Sequence, residues 1–139
     1  MKKRTKKVSQ SSIQVVTKYG TMWRRNSKNI ARLPTSKQDG GKGVYILFDG
    51  SMPVYVGKGN IKQRVSSARR GRRKQFWDRF SWYALKDQRT MHDIEVLVLR
   101  MLPRYFRALT ENNGYFVDAK RIKVKPKDRI ADYITRKIK

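Results

Sequence analysis

The 139-residue sequence predicts a small α+β domain: a three-stranded antiparallel sheet flanked by helices, with a basic N-terminal arm and a C-terminal helix. Three observations predict it. Two short runs of β-forming residues, 44–48 and 54–57, lie on either side of an Asp-Gly turn signal. Segments 60–71 and 91–102 carry apolar residues in helical patterns. The stretch 1–42 holds twelve Lys or Arg against a single acid, Asp39, and has few apolar residues.

The boundaries follow from these shifts in composition: a basic arm over 1–42, the ordered domain over 43–116, and a basic tail over 117–139. Residues 33–41 read as a loop, rich in Pro, Gly and polar residues. Val44-Tyr45-Ile46-Leu47-Phe48 and Met52-Pro53-Val54-Tyr55-Val56-Gly57 then form an antiparallel hairpin across Asp49-Gly50. Pro53 falls at the start of its strand, where a missing N–H matters least. Ile61, Val65 and Ala68 share one helix face, with Asn60 as the N-cap and Gly71 as the stop. Residues 76–85 predict a third strand with two packed faces, Phe80, Trp82 and Ala84 alternating with Ser81, Tyr83 and Leu85. The 91–102 helix is apolar almost all round, which predicts burial on every side. In the tail, Ile130, Tyr133, Ile134 and Ile138 predict an amphipathic helix over 128–138.

Thirty-five Lys or Arg against 10 Asp or Glu give a formal charge of +25, and a polyanion is the expected partner. DNA is that partner in the leading reading, with RNA the alternative. The absence of cysteine removes disulfides, thiolate zinc sites and cysteine nucleophiles together. No apolar run approaches the roughly 20 residues that span a bilayer, and no signal-peptide segment follows the charged start. A cytoplasmic, nucleic-acid-associated protein with no membrane partner is expected.

The order of Gly43-Val44-Tyr45, then Tyr55-Val56-Gly57-Lys58, then Arg64, then Glu95 in a buried helix resembles the GIY-YIG nuclease superfamily. Over 54–65 the chain looks especially like the nuclease domain of the UvrC repair protein. The resemblance spans about 40–116 and implies a metal-dependent DNA endonuclease that hydrolyses phosphodiesters. It implies that Tyr45 and Tyr55 orient or deprotonate the attacking water, that Arg64 acts on the phosphate, and that Glu95 binds one Mg²⁺ or Mn²⁺. The histidine that the family often carries one turn after the arginine is absent, since Ser66-Ser67-Ala68 stand there. The asparagine that closes the family's site would be Asn112 or Asn113, against the plain reading of an Asn-Gly turn.

The residues support these roles on their own chemistry. A phenol among cations should fall below its ordinary pKa of about 10 and accept a proton from water. A guanidinium at Arg64 can clamp two phosphate oxygens, and Lys58 adds a point charge between Gly57 and Gly59, where backbone can approach a ligand. Glu95 is one of two glutamates and interrupts an apolar run, so a cation or hydrogen bonds have to offset its burial. A divalent ion, which suits a single carboxylate with water and phosphate, is one solution, and an arginine, such as Arg100 or Arg104, is the other. Lys62, Arg69, Arg70, Arg72, Arg73 and Lys74 read as backbone-phosphate contacts, with Trp77 and Trp82 left to the core. His92 reads as exposed, with no partner for a metal cluster or a triad. The rival class is a non-catalytic basic module, RNA- or ribosome-associated, or a degenerate member of the same family.

Overall fold

The computed structural model describes residues 13–35, 41–71, 76–102 and 115–128. In chain order the elements are β1 (Val16–Arg24), α1 (Ser27–Ala31), β2 (Lys42–Asp49), β3 (Met52–Asn60), α2 (Ile61–Arg70), β4 (Arg79–Leu85) and α3 (Met91–Met101). The fold is α+β, as the sequence predicts, but its sheet has four antiparallel strands rather than three, in the order β1-β4-β2-β3. The additional strand, β1, comes from within the segment read as a basic arm. It pairs with β4 from Val16↔Leu85 to Arg24↔Arg79.

The hairpin forms where the sequence puts it. Asp49 pairs with Met52 around Gly50, and the register shifts between Leu47↔Tyr55 and Phe48↔Pro53. Pro53 therefore sits at an irregularity on an edge strand, the two places where a strand tolerates a missing donor. Asp78 secures the turn from outside: its Oδ1 accepts the Gly50 N–H at 2.8 Å, and its own N–H donates to the Phe48 carbonyl at 2.8 Å. That Gly50 hydrogen bond, more than the neighbouring Arg79 charge, holds the Asp78 carboxyl below its ordinary pKa.

Both faces of the sheet are covered, which explains why β2 reads as an unbroken apolar run. On one face Leu47, Phe80, Trp82 and Ala84 pack with Ile61, Val65 and Ala68 of α2 and Ile30 of α1. Trp23 of β1 closes this layer edge-on against Phe80 and Trp82, at centroid distances of 5.9 and 5.3 Å. Trp77 belongs to the same core, its indole N–H donating to the Ala68 carbonyl at 3.2 Å. On the other face Val44, Val56 and Leu85 meet Met91, Ile94, Val98 and Leu102 from α3 and its end.

Helix α2 starts as expected, with the Asn60 side chain accepting the Gln63 N–H and Gly71 at its end. Helix α3 is not buried on every side. Leu97 is 51% and Met101 75% exposed, because one face of α3 packs on the sheet and the opposite face points away. Among the described residues no helix is long and apolar enough to cross a membrane. The expected helix over 128–138 lies beyond the described residues apart from Asp128, which ends a short 3₁₀ turn.

Candidate active site

Strand β3 is the outer edge of the sheet, and the site is built across it. Alternation sends Tyr45 and Tyr55 to the α2 side, where both join the larger core cluster, their ring centroids 6.1 Å apart. Lys58 stands opposite Val44, which faces α3, so its side chain reaches α3 instead. Gly57 and Gly59 flank Lys58, and their missing side chains allow the two sides to meet. A Cβ on Gly57 would lie 2.5 Å from the Tyr45 hydroxyl, so the phenol occupies the space that any other residue would fill. Gly57 still lines the cleft, with the Tyr45 phenol over its Cα. Gly59 has φ +124°, a conformation that L side chains rarely adopt, and the Arg64 guanidinium passes beside it.

The result is a cleft of about 510 Å³ lined by Tyr45, Tyr55, Lys58, Arg64, His92 and Glu95, with Val56, Gly57, Gly59 and Met91 between them. All five residues expected to be catalytic reach it. A second hollow of about 470 Å³ shares Gly59, Arg64 and Met91 with the first and extends past Asn60 and Gln63 to Lys42. The two hollows are therefore neighbours on this side of the sheet.

Glu95 is the most buried charge in the cleft, its side chain 5% exposed. Its Oε1 lies 3.5 Å from Lys58 Nζ, so this oxygen faces the tyrosine-bearing strand. The pair sits at a cleft and not in a closed core, so water shares in solvating it. Among the described residues no group of three His, Cys, Asp or Glu side chains could hold a metal ion. The one carboxylate in the cleft nevertheless suits a hard divalent ion. Mg²⁺ binds through one or two carboxylates and takes its remaining ligands from water and substrate phosphate.

His92 is the residue that sequence reasoning placed wrongly. It lines the cleft, with Nδ1 3.1 Å from Lys58 Nζ and Nε2 2.8 Å from the Tyr115 carbonyl oxygen. The signal was its i, i+3 spacing to Glu95, which stacks the two on one face of α3. Lys42 was also missed, since no motif marks it.

Other expected contacts lie elsewhere. Lys62 turns from the cleft and donates to the Ala31 carbonyl at 3.2 Å, where it completes the end of α1. Arg69 and Arg70 are exposed on the last turn of α2 and do not line the cleft. Arg72, Arg73, Lys74, Asn112 and Asn113 lie outside the described residues.

No family model matches the chain, and the searches of curated proteins and of solved structures return no match. The functional reading therefore rests on the motif residues and on the cleft they line.

Proposed function

We propose that the protein is a metal-dependent DNA endonuclease with a GIY-YIG-type active site. One observation carries the proposal. Tyr45, Tyr55, Lys58, Arg64 and Glu95 come from two strands and two helices, on opposite sides of an edge strand, yet line one cleft. Packing alone does not require a phenol pair, a guanidinium and a buried carboxylate to share an open groove.

In this reading a phosphodiester lies along the groove, with Arg64 and Lys58 on its non-bridging oxygens. Tyr45 or Tyr55 takes a proton from the attacking water. The new P–O bond forms as the bridging P–O bond breaks, leaving one phosphate monoester end and one hydroxyl end. Arg64 and Lys58 are already in place when charge builds on the phosphorus oxygens, which is where such groups contribute most. Glu95 would hold the divalent ion, Mg²⁺ or Mn²⁺, which when bound acts as a Lewis acid on the scissile phosphate. Lys42 and the many basic residues outside the cleft add sequence-independent affinity.

A second reading has its own support. Lys58 already offsets the Glu95 charge, which is what a structural ion pair in a non-catalytic binding protein would do. Metal dependence separates the two. The nuclease reading predicts nicking of supercoiled plasmid in Mg²⁺ that EDTA abolishes, while retention of the same DNA on a gel persists in EDTA. Retention without nicking, under every divalent ion tried, would favour the binding protein.

A further inference from the structure

We propose that His92 is a positioning residue that aims the Lys58 ammonium into the cleft. The inference rests on the nuclease reading for its consequence, but its geometry stands apart from it. Lys58 has a long, flexible stem and three donor protons, and a lysine of this kind is ordinarily spread over many rotamers. Here two acceptors converge on its nitrogen: Glu95 Oε1 at 3.5 Å and His92 Nδ1 at 3.1 Å. An ammonium has no lone pair, so the 3.1 Å contact needs a bare Nδ1 that accepts from it. The ring proton then belongs on Nε2, which donates to the Tyr115 carbonyl oxygen at 2.8 Å. The two contacts agree with each other: each requires the same neutral tautomer.

The Tyr115 bond also explains why the ring faces Lys58. The first turn of α3 grips the chain at 115–117 twice, through His92 and through Asp93 Oδ1, which accepts the Val117 N–H at 3.0 Å. The imidazole is thereby fixed at its outer nitrogen and presents its inner one to the lysine. This is the arrangement by which a group behind a functional side chain sets its direction. His92 does not replace the histidine missing after Arg64 as a proton carrier, because both ring nitrogens are already committed.

The protein has a single histidine, so its ring nitrogens can be read without assignment ambiguity. In ¹⁵N-labelled protein, long-range ¹H–¹⁵N spectra should show one pyridine-like Nδ1 and one protonated Nε2, and Lys58→Met should shift the Nδ1 signal. A proton on Nδ1, protonation of both nitrogens, or an Nδ1 signal indifferent to Lys58→Met would overturn the tether. The kinetic arm uses two variants that each keep one bond. His92→Asn offers an acceptor where Nδ1 stood, whereas His92→Gln reaches toward Tyr115 but leaves Lys58 without its acceptor. His92→Gln and His92→Ala should lower kcat about 10- to 100-fold with KM little changed, and His92→Asn should recover most of that loss. In a Lys58→Met background the His92 substitutions should have no further effect on kcat. Equal losses for Asn and Gln, or full additivity with Lys58→Met, would assign His92 to the anchoring of 115–117 alone. If the parent protein does not cleave at all, the nuclease reading fails, and the spectra still decide the tether.

Discussion

Glu95 carries most of the interpretation at the scale of single residues. A carboxylate that serves only an ion pair should be missed when it is neutralised, while one kept for function sits at a cost to the fold. Because the Lys58 side chain is 35% exposed and keeps His92 as an acceptor, Glu95→Gln removes a buried charge without stranding its partner. Its stability should stay within about 1 kcal/mol of the parent, read by thermal or urea unfolding. A large loss would support the structural ion pair. Gly57 offers a second test. Gly57→Ala places a methyl group where the Tyr45 phenol lies. A shift of the phenol by about 1 Å should slow cleavage on the order of 100-fold while circular dichroism remains native. Five of the residues that line the cleft were legible through the order of motifs they resemble: two tyrosines on facing strands, a lysine between two glycines, an arginine on the next helix, and a glutamate inside an apolar one. His92 was legible only through its i, i+3 spacing to Glu95, because its partners Lys58 and Tyr115 are 34 and 23 residues away in the chain.

The elements differ in how plainly the sequence declares them. The hairpin and α2 announce themselves through Asp49-Gly50 and Asn60, local signals that act within a few residues. Strand β1 does not. Its register is broken twice, between Val16 and Lys18 and again between Gly20 and Trp23, so period-2 alternation disappears. At the second break Met22 has φ 55° and donates its N–H to the buried Ser81 hydroxyl at 2.9 Å, a contact only the folded sheet supplies. That β1 is part of the fold predicts a loss of about 3 kcal/mol for Trp23→Ala by urea unfolding, where a detached arm would show almost none. Asp87 gives a pH prediction for the turn that leads into α3. The Arg89 side chain, and then the Arg89 backbone N–H, lower its pKa from the ordinary 3.8 to about 2. A group whose pKa is depressed on folding stabilises the protein above its unfolded pKa and loses that contribution as pH falls through its folded one. The turn should therefore loosen between about pH 4 and pH 2, a small effect because Asp87 is solvent-exposed, and Asp87→Ala should flatten the fall in Tm over that range.

At the scale of the whole molecule, the proposed function combines a general attraction with a local chemistry. A charge of +25 spread over a chain this small should give duplex affinity that drops steeply with salt. For about 6–10 phosphate contacts the fall is about 10³- to 10⁵-fold between 50 and 200 mM, measurable by fluorescence anisotropy. Charge of this kind was legible from composition, but composition says nothing about which cations line the cleft. The fold makes that selection: Lys58 and Arg64 reach the cleft, while Lys62 is spent on the end of α1. Binding and cleavage should accordingly come apart when Glu95 alone is changed. The most direct measurement is nicking of supercoiled plasmid by the parent protein and by Glu95→Gln in Mg²⁺, with duplex affinity measured alongside. The account predicts that the variant binds as the parent does and nicks at least about 100-fold more slowly. Nicking by Glu95→Gln at the parental rate would contradict it.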